Sequence, residues 1–252
     1  MIIDSETQYF LSQDGLRLYY RHWDCEQPQK IVCIVHGHGE HSRRYNHVAE
    51  ALNKADITVF ALDLRGHGIS EGKRGHAKSY LHLMSDVEEF LKTARAEYTD
   101  LPLYLYGHSM GGNLVANYMI RMNTNEISGF ILTSPWLKLA FEPPAWKVRL
   151  GEIFDKIYPA LTQPSELDAS QLSKEATVVK AYKEDPLVHD KISARLFRII
   201  VDSGIYALNS AKGIKVQGMV LHGNADNIID WHSSRIFTAA NEKISFTELD
   251  GV

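Results

Sequence analysis

The chain has only two cysteines in 252 residues, Cys25 and Cys33. They are too few for a disulfide framework and lack C-x-x-C spacing, so both are expected as reduced thiols. Excess positive charge is also missing: 27 Lys and Arg stand against 31 Asp and Glu, for a formal net charge of −4 and a pI near 6.3. Such a chain has no global basic field of the kind nucleic-acid binding needs, and no nucleic acid is expected as a partner. No run approaches the roughly 18 apolar residues that would cross a bilayer. Asp4 and Glu6 stand where a signal peptide would carry positive charge followed by an apolar run. A cytoplasmic location is expected, with any membrane contact transient and peripheral. Repeats and low-complexity stretches are missing too. What is present is 44% hydrophobic content, enough to bury a large core in one domain carrying an insertion.

Strand-like and helix-like segments alternate along most of the chain, the pattern of an α/β fold with a mostly parallel sheet covered on both faces. Thr7 to Ser12 and Leu16 to Trp23 flank Asp14-Gly15, a dipeptide suited to a tight hairpin. Buried strands are expected at Ile31 to Val35, Ile57 to Leu62, Leu103 to Tyr106, Ile127 to Leu132, Val216 to Leu221 and Ile244 to Leu249. Helices are expected near Tyr45 to Lys54, Tyr80 to Tyr98 and Met110 to Met122. In the second, a 3.6-residue period predicts Leu81, Met84, Val87, Phe90, Leu91 and Ala94 inside, with Asp86, Glu88, Glu89 and Lys92 outside.

The alternation breaks between about Pro135 and Ile214, far longer than an ordinary connection between strands. A helical cap is therefore expected at 136–214, inserted into a core made of 1–135 and 215–252. Its first part, which includes Trp136, Leu137, Trp146, Leu150, Phe154 and Ile157, is apolar and aromatic around Pro143-Pro144. These side chains would either fasten the insertion to the core or form an acyl-chain site or membrane-touching surface, in which Leu150 and Phe154 are the candidate substrate contacts.

Gly107-His108-Ser109-Met110-Gly111 lies between a strand-like run and a helix-like one. In that setting G-x-S-x-G reads as a nucleophile elbow, a tight turn that lifts a serine hydroxyl above the sheet edge and leaves no room for side chains at its flanks. The bland alternative is a glycine-rich helix start that merely packs. A second loop, His36-Gly37-His38-Gly39-Glu40-His41, follows the strand ending at Val35. The amides of His38 and Met110 are the expected oxyanion donors. The loop's three histidines could suggest a metal site, but no accompanying ligand set is evident and no metal is expected. Asp63-Leu64-Arg65-Gly66-His67-Gly68-Ile69-Ser70 is expected as scaffolding, with Arg65 in a structural ion pair.

A serine nucleophile needs a base and an acid that orients the base, which in this architecture follow in the order serine, acid, histidine. Asp226 runs off the end of a buried strand and is the expected acid, with Asp230 as the alternative. His108, His222 and His232 each look structural, and the loop expected to carry the base is missing after the last strand, which runs into Glu248-Leu249-Asp250-Gly251-Val252.

Four segments in order carry a resemblance: His36 to Tyr45, Gly66 to Gly72, Gly107 to Gly111, and Gly223-Asn224-Ala225-Asp226. Together they resemble the monoacylglycerol lipase and lysophospholipase branch of the α/β-hydrolase superfamily. Ser165 to Asp168 and Tyr182 to Val188 are similar to cap segments of that branch. The resemblance implies Ser109 as nucleophile, Asp226 as acid, the His38 and Met110 amides as oxyanion hole, and a histidine in a Gly-x-x-His segment that Asp250-Gly251-Val252 would begin. The implied activity is cleavage of a monoacylated lipid ester, a small-molecule substrate, without a cofactor. A short-chain esterase or peptidase of the same superfamily is the rival within enzymes. A non-catalytic lipid-binding protein on the same fold is the rival outside them.

Overall fold

Runs of branched and aromatic residues pair into one eight-stranded sheet in the computed structural model, which describes residues 7–165 and 167–252. Asp4, Glu6 and Glu166 lie outside the described residues. The chain opens with the hairpin β1 (Thr7–Leu11) and β2 (Arg17–Trp23), whose turn places Gly15 at φ 84°. Glycine alone adopts that angle without steric cost. There follow β3 (Lys30–Val35), α1 (Asn46–Asn53), β4 (Ile57–Leu62), α2 (Tyr80–Glu97), β5 (Leu103–His108), α3 (Met110–Arg121) and β6 (Ile127–Thr133). The inserted stretch carries α4 (Ala145–Ile157), β7 (Thr162–Pro164), α5 (Ala176–Glu184), β8 (Lys191–Ser193) and α6 (Ala194–Ser210). The chain then returns through β9 (Gly218–Gly223), α7 (Trp231–Ala239) and β10 (Ile244–Leu249).

Strand order is β1-β2-β4-β3-β5-β6-β9-β10, parallel from β4 onward. This is the α/β-hydrolase architecture expected from the sequence. Alternation along β3 explains the two layers of helices: Ile31, Cys33 and Val35 join the main core with α2 and α3, while Val32 and Ile34 pack with Tyr45 and with Ala49 of α1. Because both faces are covered, β3 and β4 are apolar nearly throughout.

Two positions on α2 differ from the helical-period expectation. Leu81 is exposed, and Asp86 is fully buried. Arg65 reaches over from the loop after β4 and donates to Asp86 Oδ1 at 2.7 Å, so a compensated charge occupies a place that periodicity assigns to solvent. The expected ion pair of Arg65 is thus present, with Asp14 as its second partner.

The insertion is not uniform. Trp136 and Leu137 are buried in the main core, and α6 packs on α3 through Leu196, Ile200 and Ala207. Asn113 and Asn117 of α3 donate to the carbonyls of Ile200 and Ser203, at 3.1 and 3.0 Å. By contrast, α4 buries only Asp155, which pairs with Arg195 and Arg198 of α6. Trp146, Leu150, Ile153, Phe154 and Ile157 face outward, Ile157 with 77% of its surface exposed. After Pro143-Pro144, then, an ion pair ties α4 to α6 and the apolar side chains of α4 are left uncovered.

Candidate active site

Ser109 sits between β5 and α3 with φ 50° and ψ −115°, a conformation that costs a non-glycine residue about 1–3 kcal/mol and persists only where its surroundings enforce it. Those surroundings are specific. A Cβ on Gly107 would come within 2.6 Å of the Gly111 carbonyl oxygen, and one on Gly111 within 2.0 Å of the Val35 oxygen. The Ser109 carbonyl accepts from the Trp136 N–H at 2.9 Å and from the Asn113 N–H at 3.0 Å. The turn therefore has the geometry expected of an elbow, and close approach of backbones accounts for both flanking glycines.

The loop after β3 lies against this turn: a Cβ on Gly37 would be 3.2 Å from Ser109 Cβ. Its shape depends on two side chains that the sequence did not mark for that role. Glu40 Oε1 accepts from the Gly37 N–H at 2.7 Å and from the Tyr45 hydroxyl at 3.0 Å. Burial would raise the Glu40 carboxyl, but His108, His36, the Gly37 N–H and Arg44 around it hold it below the usual range. His36 is fully buried; its Nε2 accepts from the Leu64 N–H at 3.0 Å, which leaves Nδ1 to donate to the Gly37 carbonyl at 2.7 Å. That carbonyl and the His38 N–H belong to one planar trans peptide and point in opposite directions. Holding the carbonyl therefore aims the N–H. Among the described residues, neither the His38 N–H nor the Met110 N–H has a hydrogen-bond partner, as donors kept for a developing oxyanion would require.

The His38 ring points away from this chemistry into a cluster with His67 and His189, centroids 5.5 and 5.7 Å away. Burial, reinforced by His189 and His36, pushes its pKa down to about 3. His41 is engaged by Asp185 at 2.9 Å, and the His189 N–H donates to the Gly39 carbonyl at 2.9 Å. The segment after α5 thus fastens the insertion onto the loop below it. In the neighbouring loop, Asp63 accepts from the Ser42 and Ile69 amides at 2.7 and 2.9 Å, consistent with scaffolding.

Asp226 follows β9. Its Oδ1 accepts from the N–H groups of Ile228 and Ile229, and its Oδ2 lies 3.1 Å from His222 Nε2. Burial would raise this carboxyl, but His222 and those two amides hold it below the usual range. Asp230 is occupied differently, as the N-cap of α7 accepting from the His232 N–H at 3.1 Å. The end of the chain runs beside Asp226: the Ala225 N–H donates to the Val252 carbonyl at 2.8 Å, and the Gly251 N–H to Asn224 Oδ1 at 2.8 Å. His108 is bound to Thr133 through Nδ1 at 2.9 Å. His222 has both nitrogens engaged, and His232 lies exposed on α7.

Of the residues singled out from the sequence, Ser109, His38 and Met110 therefore meet at one sheet edge, and Asp226 lies at the C-terminal end of a strand of the same parallel sheet. Leu150 and Phe154 lie on the exposed face of α4. Glu40 was legible only as a charged residue in a glycine loop, and nothing local in the sequence marked His36 or His222, since their partners are distant in the chain or depend on the turn.

Residues 26–249 match the family described as serine aminopeptidase, S33. An uncharacterized abhydrolase domain-containing protein of Dictyostelium discoideum is 34% identical over 89% of this chain, which spans only 24% of that protein. A monoacylglycerol lipase of Mycolicibacterium smegmatis is 33% identical over 94% of this chain and 85% of its own length. The crystal structure of a Paleococcus ferrophilus monoacylglycerol lipase superposes with a TM-score of 0.84 at 34% identity, covering 93% of this chain and 89% of that one.

Proposed function

This chain belongs to the serine aminopeptidase S33 family of serine hydrolases, and from that membership we propose that it cleaves carboxylic esters of monoacylated lipids through an acyl-enzyme on Ser109. The observation that carries the proposal is the pairing of a strained serine with two N–H groups that have no hydrogen-bond partner among the described residues, those of His38 and Met110. The relatives named monoacylglycerol lipase supply the substrate class.

Ser109 Oγ attacks the acyl carbonyl and gives its proton to a histidine, proposed to lie just past Val252, where the backbone runs alongside Asn224 and Ala225. Asp226 orients that histidine and stabilises its cationic form. The carbonyl oxygen, now negative, takes the His38 and Met110 N–H bonds; losing one such donor costs about 3 kcal/mol of barrier. The histidine returns the proton to the leaving alcohol as the tetrahedral intermediate collapses. Water then repeats the sequence on the acyl-enzyme and releases the fatty acid.

We assign 136–214 as a cap on the core formed by 1–135 and 215–252, and the outward apolar face of α4 as the surface that meets acyl chains or a membrane interface. Support comes from Trp146, 64% exposed, together with Leu150 and Phe154 on the same helix. No helix among the described residues is long and apolar enough to span a membrane; the contact proposed is a peripheral one.

The test is hydrolysis of monoacylglycerols and lysophospholipids of increasing chain length beside an acetyl ester and a peptide amide. Turnover of the long-chain monoesters, lost in Ser109→Ala, is expected. Preference for the acetyl ester would favour a short-chain esterase, and preference for the amide a peptidase.

A further inference from the structure

His222 lies fully buried in β9 and takes no part in the steps above, yet it touches the carboxylate they depend on. An ionised carboxylate offers about four acceptor positions. In Asp226 the Ile228 and Ile229 N–H groups fill both positions on Oδ1, at 2.8 and 2.9 Å. His222 Nε2, 3.1 Å away, fills one on Oδ2. A single position stays open on Oδ2, the number that one imidazole N–H requires.

The second nitrogen of His222 is also committed. Nδ1 lies 2.8 Å from Oγ of Ser234, a fully buried residue on α7. A carboxylate can only accept, so the ring proton facing Asp226 belongs on Nε2, and the Ser234 hydroxyl donates to Nδ1. Buried polar chains of this kind stay in register because every member is satisfied.

We propose that His222 is a positioning residue of the hydrolysis: with Ser234 fixing its tautomer, it holds Oδ2 of Asp226 so that the one open acceptor faces the catalytic base. This rests on Asp226 being the triad acid. Sequence order alone assigns His222 to strand packing, but a residue that only packs would not need a donor aimed at the carboxylate and a hydroxyl behind it. The arrangement acts one step behind the triad, on the group that orients the base.

The test uses steady-state ester hydrolysis across pH in the intact enzyme, with thermal unfolding of every variant as a control. His222→Leu removes the donor and should lower kcat about tenfold to a hundredfold, the range for a hydrogen bond to a charged group, with KM nearly unchanged. Its acid limb should move to higher pH, because Asp226 loses a bond that favours its ionised form. His222→Gln, whose Nε2 can reach the same oxygen, should restore most of kcat and the original limb. Asp226→Asn should lose about 10⁴-fold in kcat. Wild-type activity in Asp226→Asn would remove the acid assignment and this proposal with it. An inactive Asp226→Asn beside a His222→Leu of unchanged kcat and pH profile would overturn the positioning role alone, as would a Gln variant no better than the Leu variant at equal folded fraction. If His222→Leu does not fold, Ser234→Ala carries the same comparison; a shifted acid limb is expected there and an unmoved limb overturns the proposal.

Discussion

Gly111→Ala adds one methyl group to the second residue of α3, and the structure says where that methyl goes. It would lie 2.0 Å from the Val35 oxygen and 2.5 Å from the His36 oxygen. The ordinary limit for carbon against a carbonyl oxygen is roughly 3.3 Å. The shortfall is therefore about 1 Å, and both obstacles are main-chain atoms of β3 and the loop leaving it rather than yielding side chains. Relief requires α3 to move away from β3, which carries the Met110 N–H away from the His38 N–H. A misplacement of about 1 Å costs on the order of a hundredfold in rate. Overpacking costs a further 1–3 kcal/mol of stability, roughly, or about 3–10 °C in melting temperature for a domain of this size. Gly151 provides the control: it lies inside α4 with nothing within 4 Å of an added Cβ, so Gly151→Ala should leave kcat alone and stabilise slightly. The assay is kcat on a soluble ester with thermal unfolding of both variants. A Gly111→Ala enzyme with wild-type kcat and melting temperature would refute the account of how the turn is built.

Three further outcomes follow from the same geometry. Asp230→Asn should cost far less activity than Asp226→Asn, because Asp230 caps α7 while Asp226 accepts from His222 and two amides; steady-state kcat decides, and the reverse order would move the acid to Asp230. Phe154→Asp or Leu150→Asp should depress hydrolysis of long-chain monoesters much more than that of an acetyl ester, since both side chains lie on the outward face of α4; equal loss on both would reject a lipid role for that face. His38 and His189, pushed down to about 3 and about 4 by burial, stay unprotonated in the fold where the unfolded chain takes up protons near its ordinary value of about 6.5. The stability they contribute is present above that value and is lost as pH falls toward about 4. Melting temperature should drop over that window and drop less in His38→Phe; an identical decline in the variant would contradict this.

Much of the scaffold was legible because it follows from short-range rules. The apolar runs of β3, β4, β5 and β6, the turn at Asp14-Gly15, and the strand-turn-helix around Ser109 are each set by residues within a few positions of one another. The side of α2 that carries Asp86 was not legible, because its burial depends on Arg65 arriving from another loop. Nor was the roof of the loop after β3: His41 meets Asp185, and Gly39 meets His189, across more than a hundred residues that carry no pairing signal. Strands β7 and β8, of three residues each, are too short to show a period. In the site, Ser109 and Asp226 were singled out as proposed nucleophile and acid from motif and chain order. The side chains that hold them, Glu40, His36 and His222, were not, since their roles exist only once the loops have folded.

The central claim is that Ser109 is the nucleophile, and covalent labelling tests it most directly. A fluorophosphonate probe reacts with an activated serine and reports which one when the modified peptide is identified by mass spectrometry. Label confined to the peptide containing Ser109, and absent from a folded Ser109→Ala variant, is the predicted result. Undiminished label in Ser109→Ala, or label carried by a different serine, would contradict the account.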